Sequence, residues 1–206
     1  MAKNHKQEIV LFHSVLGLRP GVKKAAEKLQ NQEYIVHTPN LYDEGVVFDD
    51  YEKADAYLQS IGSYPELLKR TRESVVDLPD ELIYAGFSNG GASAEYLALT
   101  RPKARAAILF SGALPLEMLL EIGGDQQQNW PKSVPVQLHY TKNDPFRNQE
   151  WIDSFRESVS SSQAQLNFYE YPGEGHLFTD DSLPNEYNEE SSKQLWERVF
   201  KFLNQI

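Results

Sequence analysis

Six short apolar runs, each followed by residues at helical spacing, constrain this chain more than any other feature. The runs are "EIVLF" (8–12), "YIVHTP" (34–39), "ELIYAG" (81–86), "RAAILFSG" (105–112), "VPVQLHY" (134–140) and "QLNFYEY" (165–171). They are apolar nearly throughout rather than at every second position, the pattern of strands buried on both faces. Between them, Val22, Ala25, Ala26 and Leu29 fall at helical offsets, and residues 64–77 read as a helix with Pro65 in its first turn and Leu68, Thr71 and Val75 on one face. "NGGASAEYLALT" (89–100) reads as a helix that stops before Pro102, and 113–133 as a short helix and a loop. Trp151, Ile152, Phe155 and Val159 share one helical face, and Leu195, Val199, Phe202, Leu203 and Ile206 mark a C-terminal amphipathic helix. Residues 40–63 are irregular, acidic and aromatic, with a second half that can be helical, and form a candidate wall for a site. Such alternation predicts an α/β fold: a mainly parallel six-stranded sheet covered by helices on both faces. No repeat or linker divides the chain, so one domain is expected over 1–206.

Ligands of such sheets bind at the carboxyl ends of the strands. The third strand runs into Gly86-Phe87-Ser88-Asn89-Gly90, which fits G-x-S-x-G. A nucleophilic serine needs a sharp strand-to-helix turn that exposes its hydroxyl, and small neighbours let strand and helix approach. A glycine-rich turn without chemistry is the plain alternative. Asp144 follows the fifth strand in "KNDP" and, taken alone, reads as a turn former or cap. His176 follows the sixth strand in a glycine-flanked loop, "GEGHLF", away from any apolar face. Together, Ser88, Asp144 and His176 have the chain order Ser…Asp…His of a nucleophile–acid–base triad on this architecture. His13 also ends a strand and is a rival base, with shaping of the first loop as its main expected role. His139 reads as a satisfied core histidine, while His37 and His5 carry no further signal.

Other chemistries find little support. The formal charge of −10 supplies no basic stripe for nucleic acid or an anionic membrane. Much of it lies in "EGHLFTDDSLPNEYNEE", read as a solvated acidic loop or, more pointedly, as acidity that repels anionic substrates. The absence of cysteine excludes disulfides, thiolate zinc and a cysteine nucleophile. No His/Asp/Glu spacing indicates a metal, and the one glycine-rich turn carries serine where a phosphate loop needs lysine. The first apolar run is too short for a signal or membrane segment, so a cytoplasmic protein is expected.

The chain resembles the dienelactone hydrolase family of α/β-hydrolases over nearly its whole length. The resemblance rests on "HSVLGL", "TPNLYDEG", "GFSNGG", "KNDP" and "GEGHLF" in that order. It implies sheet order 2-1-3-4-5-6, no large cap, and an oxyanion hole formed by the backbone N–H groups of Val15 and Asn89. The namesake family has cysteine at the elbow, where this chain has Ser88. The namesake also has a glutamate in the first loop and arginines that hold a substrate carboxylate. Here the first-loop position is Ser14, and no arginine occurs between residues 40 and 62. The expectation is therefore a cofactor-free serine hydrolase of a small, uncharged ester or lactone, with Ser88, His176 and Asp144 as nucleophile, base and orienting acid. Tyr42, Phe87, Trp130, Phe146 and Phe178, with His13 and Ser14, could line its pocket. A non-catalytic binding protein and an acyltransferase are the alternatives, and monomer or dimer stays open.

Overall fold

The computed structural model describes residues 7–206; His5 lies outside them. Its strands are β1 (Glu8–Phe12), β2 (Ile35–His37), β3 (Leu82–Phe87), β4 (Ala106–Phe110), β5 (Val136–Thr141) and β6 (Leu166–Tyr171). Its helices are α1 (Pro20–Gln30), α2 (Tyr51–Ser60), α3 (Ser63–Glu73), α4 (Asn89–Thr100), α5 (Leu116–Gly123), α6 (Gln149–Ser161) and α7 (Glu189–Leu203). The strands form one sheet of order β2-β1-β3-β4-β5-β6 in which every adjacent pair is parallel. Right-handed crossovers then distribute the helices over both faces. Helices α3 to α6 pack side by side, while α1 lies on β1 and β2 and α7 on β5.

The central strands β3 and β4 are buried along their entire length, which explains their uninterrupted apolar sequence. Edge strands depart from that pattern. β2 is only three residues long, shorter than its apolar run, because it pairs on one side alone and runs into Pro39, which has no N–H to donate. The helix expected over 64–77 ends at Glu73. Beyond it Val75, Val76 and Leu78 donate to the carbonyls three residues back, and the chain leaves in tight turns ahead of Pro79. His139 is a core residue of β5: its Nε2 donates to Gln137 Oε1 at 3.0 Å and the Tyr171 hydroxyl donates to its Nδ1 at 2.9 Å. Burial, aided by the charge of Arg198, lowers its pKa to about 3, so the ring is neutral.

Register decides what meets at the carboxyl edge. Phe12 pairs with Gly86, Phe87 with Phe110, and Phe110 with His139. The residues that follow β1, β3, β4 and β5 therefore emerge level with one another. The connection from β2 to β3, which carries α2 and α3, passes over this edge. Among the described residues, no helix is long and apolar enough to cross a membrane, and no group of three or more His, Asp or Glu could hold a metal ion.

Candidate active site

Ser88 sits where β3 turns into α4, with φ 54° and ψ −118°. A non-glycine residue in this region is strained, costing on the order of 1–3 kcal/mol, and must be held by its surroundings. Here the Ser88 N–H donates to Phe110 O at 2.7 Å and Ser88 O accepts from Gly91 N at 2.7 Å. The close passage of strand and helix accounts for the flanking glycines, since a Cβ on Gly86 would lie 1.9 Å from Gly90 O. Gly112, at the end of β4, is equally tight: a Cβ there would lie 2.0 Å from Ser88 O.

Asp144 and His176 meet although 32 residues separate them, with His176 Nδ1 donating to Asp144 Oδ2 at 2.7 Å. The aspartate side chain is fully buried and that of the histidine 4% exposed. The other carboxylate oxygen, Oδ1, accepts from Phe146 N–H at 2.8 Å. This arrangement fixes the imidazole with Nδ1 protonated and leaves Nε2 as an acceptor. Phe146 and Tyr51 hold the ring edge-on, with centroids 4.8 and 6.1 Å away. Ser88 and His176 line one cavity of about 440 Å³, and no hydrogen bond joins them in this structure.

Val15 and Asn89 line the same cavity, and among the described residues neither backbone N–H has a protein acceptor. Both are braced from behind. The Tyr42 hydroxyl donates to Val15 O at 2.9 Å, and the Tyr64 hydroxyl donates to Asn89 Oδ1 at 3.1 Å. His13 is part of that bracing: Nδ1 donates to Ser14 O at 2.7 Å and Nε2 accepts from Leu41 N–H at 3.0 Å. Burial lowers its pKa to about 4, and both ring nitrogens are occupied, so it offers no base to the cavity. The Ser14 hydroxyl accepts from Leu16 N–H at 3.2 Å and likewise supports the loop.

Of the aromatic residues expected to line a pocket, only Phe146 does so. Trp130 packs edge-on against Phe155 and donates to Val134 O at 2.8 Å, a core position after α5. Phe178 packs on Tyr171, and Phe87 stacks on Phe110 within the sheet layer. Tyr42, His13 and Ser14 act through the first loop rather than at the cavity. A composition-based choice of aromatics cannot separate these cases, because large rings fill cores and pockets alike. The irregular 40–63 stretch does supply a wall, through Tyr51, Glu52 and Asp55 of α2.

Several residues carried no sequence signal. Ser111 lines the cavity just after β4, with φ 53°, and its buried Oγ has no partner. The following loop is pinned by two hydrogen bonds: Ala113 N–H donates to Tyr140 Oη at 3.0 Å, and Leu114 N–H to Glu95 Oε2 at 2.9 Å. Burial pushes the Glu95 carboxyl well above its usual range, so α4 carries a neutral acid there. Arg19, in the loop before α1, donates to Phe48 O at 2.6 Å and Ser182 Oγ at 3.1 Å, and it contacts the carboxylates of Asp49 and Asp180. It thus ties the first loop to the lead-in of α2 and to the histidine loop. The acidic 174–190 segment is accordingly not all solvated. Asp180 is buried, and Glu186 accepts from the Tyr51 hydroxyl at 2.9 Å and from Leu177 N–H at 2.6 Å.

Comparison with known proteins agrees with this fold. The profile described as "Dienelactone hydrolase family" matches residues 1–206. A Yersinia pestis protein provisionally named a carboxymethylenebutenolidase is 23% identical over 218 residues, covering 96% of this chain and 77% of its own. The crystal structure of a dienelactone hydrolase-like promiscuous phosphotriesterase from metagenomic libraries superposes with TM-score 0.77 at 18% identity, covering 97% of this chain and 86% of that one. Esterase 2 of Thermogutta terrifontis, in a form phosphonylated by sarin, gives TM-score 0.62 at 18% identity, over 97% and 84% of the two chains.

Proposed function

This chain belongs to the dienelactone hydrolase family, and from that premise we propose that it is a serine hydrolase of small carboxylic esters or lactones, working through an acyl-enzyme on Ser88. The observation that carries the reading is the buried 2.7 Å bond from His176 Nδ1 to Asp144, beside a serine held at φ 54° on the same cavity. With Nδ1 protonated, Nε2 is the atom free to take a proton. Ser88 Oγ attacks the carbonyl carbon as its proton passes to His176 Nε2, and Asp144 stabilises the imidazolium. The Val15 and Asn89 amides receive the developing oxyanion, each worth on the order of a hundredfold in rate. Collapse returns the proton from Nε2 to the leaving alcohol. Water then attacks the acyl carbon as its proton passes to Nε2, and collapse breaks the acyl–Oγ bond, returning that proton to Ser88 Oγ as the acid leaves.

Among the described residues no lysine or arginine lines the cavity, whereas Glu52 and Asp55 do. This supports the reading that substrates carry no carboxylate beside the scissile bond. No metal or cofactor has a part in these steps. An acyltransferase would share every step up to the entry of water, and a binding protein would share none of them. The test is p-nitrophenyl acetate and butyrate turnover by the wild-type chain and by Ser88→Ala. Turnover lost in the variant supports the reading, and partition of the acyl group into added alcohol reports transfer. Equal rates for the two proteins overturn it.

A further inference from the structure

The cavity has walls of two kinds, and the chemistry of the leaving group tells them apart. The departing alcohol must take its proton from His176 Nε2, so it lies on the side of that ring. There it meets Tyr51 and Phe146, whose rings lie 4.8 Å apart by centroid and both pack on His176. Phe146 is 54% exposed and Trp151, on the same cavity, 38%, although both are large apolar groups. Glu52 adjoins Tyr51, and Asp55 lies one helical turn further along α2, close enough to help hold the Tyr64 phenol protonated. Neither carboxylate is paired in a salt bridge among the described residues.

The wall formed by Ala92 and the 111–114 loop, with Tyr140, is different in kind: it carries no charged side chain. It suits a short, neutral acyl group. The aromatic and acidic wall suits a cation, because an ammonium is drawn to ring faces and to unpaired carboxylates together.

Resting on the serine hydrolase reading, we propose that the preferred substrates are short-chain esters of an alcohol bearing an ammonium group, the cation lying among Tyr51, Phe146, Glu52 and Asp55. The ester bond exchanged is the one already described, and only the leaving alcohol is specified further. Neutral esters of the same shape remain substrates, at lower efficiency.

Butyrylcholine and its neutral isostere 3,3-dimethylbutyl butyrate separate charge from shape, with acid release followed by pH-stat. At low salt kcat/KM is expected to favour the cationic ester by about tenfold, and the ratio to shrink as salt is added. In the Glu52→Gln/Asp55→Asn variant the ratio should fall to about threefold or less, since both side chains are exposed and the fold does not depend on them. A wild-type ratio near one, or a ratio the double variant leaves unchanged, overturns the proposal. If neither ester is turned over by folded protein, the hydrolase reading fails separately. The cation site is then decided by calorimetry with choline chloride against sodium chloride on Ser88→Ala protein. Binding that weakens in the Glu52→Gln/Asp55→Asn background supports the site, and no binding removes it.

Discussion

Asp144 has two oxygens with separate duties, one accepting from Phe146 N–H at 2.8 Å and the other from His176 at 2.7 Å. This division makes Asp144→Asn an informative change. The amide oxygen would stay with Phe146 N–H, which needs an acceptor, and the amide NH2 would face His176 Nδ1. The ring would then carry its proton on Nε2 and could not act as a base. The expected result is a loss of about 10⁴ in kcat with the fold retained, read from p-nitrophenyl butyrate kinetics beside circular dichroism. A loss under tenfold would deny Asp144 the orienting role. At this scale the sequence offers Ser88, Asp144 and His176 as candidates because each lies shortly after the carboxyl end of a strand. Ser111 was not. Its interest lies in a left-handed φ and a missing partner, neither of which residue type reveals.

Among the elements, the loops around the cavity are joined by side chains from far along the chain. Arg19 holds three of them, and its side chain is 6% exposed against 9% for Asp180 and 89% for Asp49. Contact with the exposed Asp49 contributes little, since water screens it. The buried Asp180 matters more. Arg19→Met would leave that carboxylate without its cation, at an expected cost of about 3–5 kcal/mol in urea unfolding. Arg19→Met/Asp180→Asn should recover part of the loss. If the single variant unfolds at the wild-type urea midpoint, Arg19 is not the clamp described. Such links escape a reading of sequence because their partners lie some 30 and 160 residues away and no periodicity marks them. Strands are the opposite case. Burial on both faces writes itself into a continuous apolar run in β1, β3, β4 and β5, whereas the partly buried edge strands β2 and β6 were legible from their apolar and aromatic residues, with errors at β2 and at the end of α3. The pocket aromatics failed for a third reason: Trp130 and Phe178 are as large and apolar as Phe146, and only packing distinguishes core from wall.

At the scale of the whole molecule, burial of neutral histidines makes stability depend on pH. His13 is lowered to about 4 and His139 to about 3, whereas in the unfolded chain both titrate near 6.5. Below 6.5 the unfolded state binds protons that the folded state refuses, so stability is full above 6.5 and is lost as pH falls toward 4 and then 3. At about 1.4 kcal/mol per pKa unit, His13 alone is worth on the order of 3 kcal/mol. Urea midpoints should fall steadily between pH 6.5 and 5, before ordinary carboxylates titrate, while the imidazole resonances of His13 and His139 stay those of neutral rings. A flat profile with titrating resonances would contradict the assignment. Whether one serine of the folded protein is the nucleophile is tested most directly by the intact mass after exposure to an alkyl fluorophosphonate. A single adduct is expected, mapped to Ser88 and absent from folded Ser88→Ala protein. No adduct on the wild-type chain, or one that persists in the variant, would contradict that assignment.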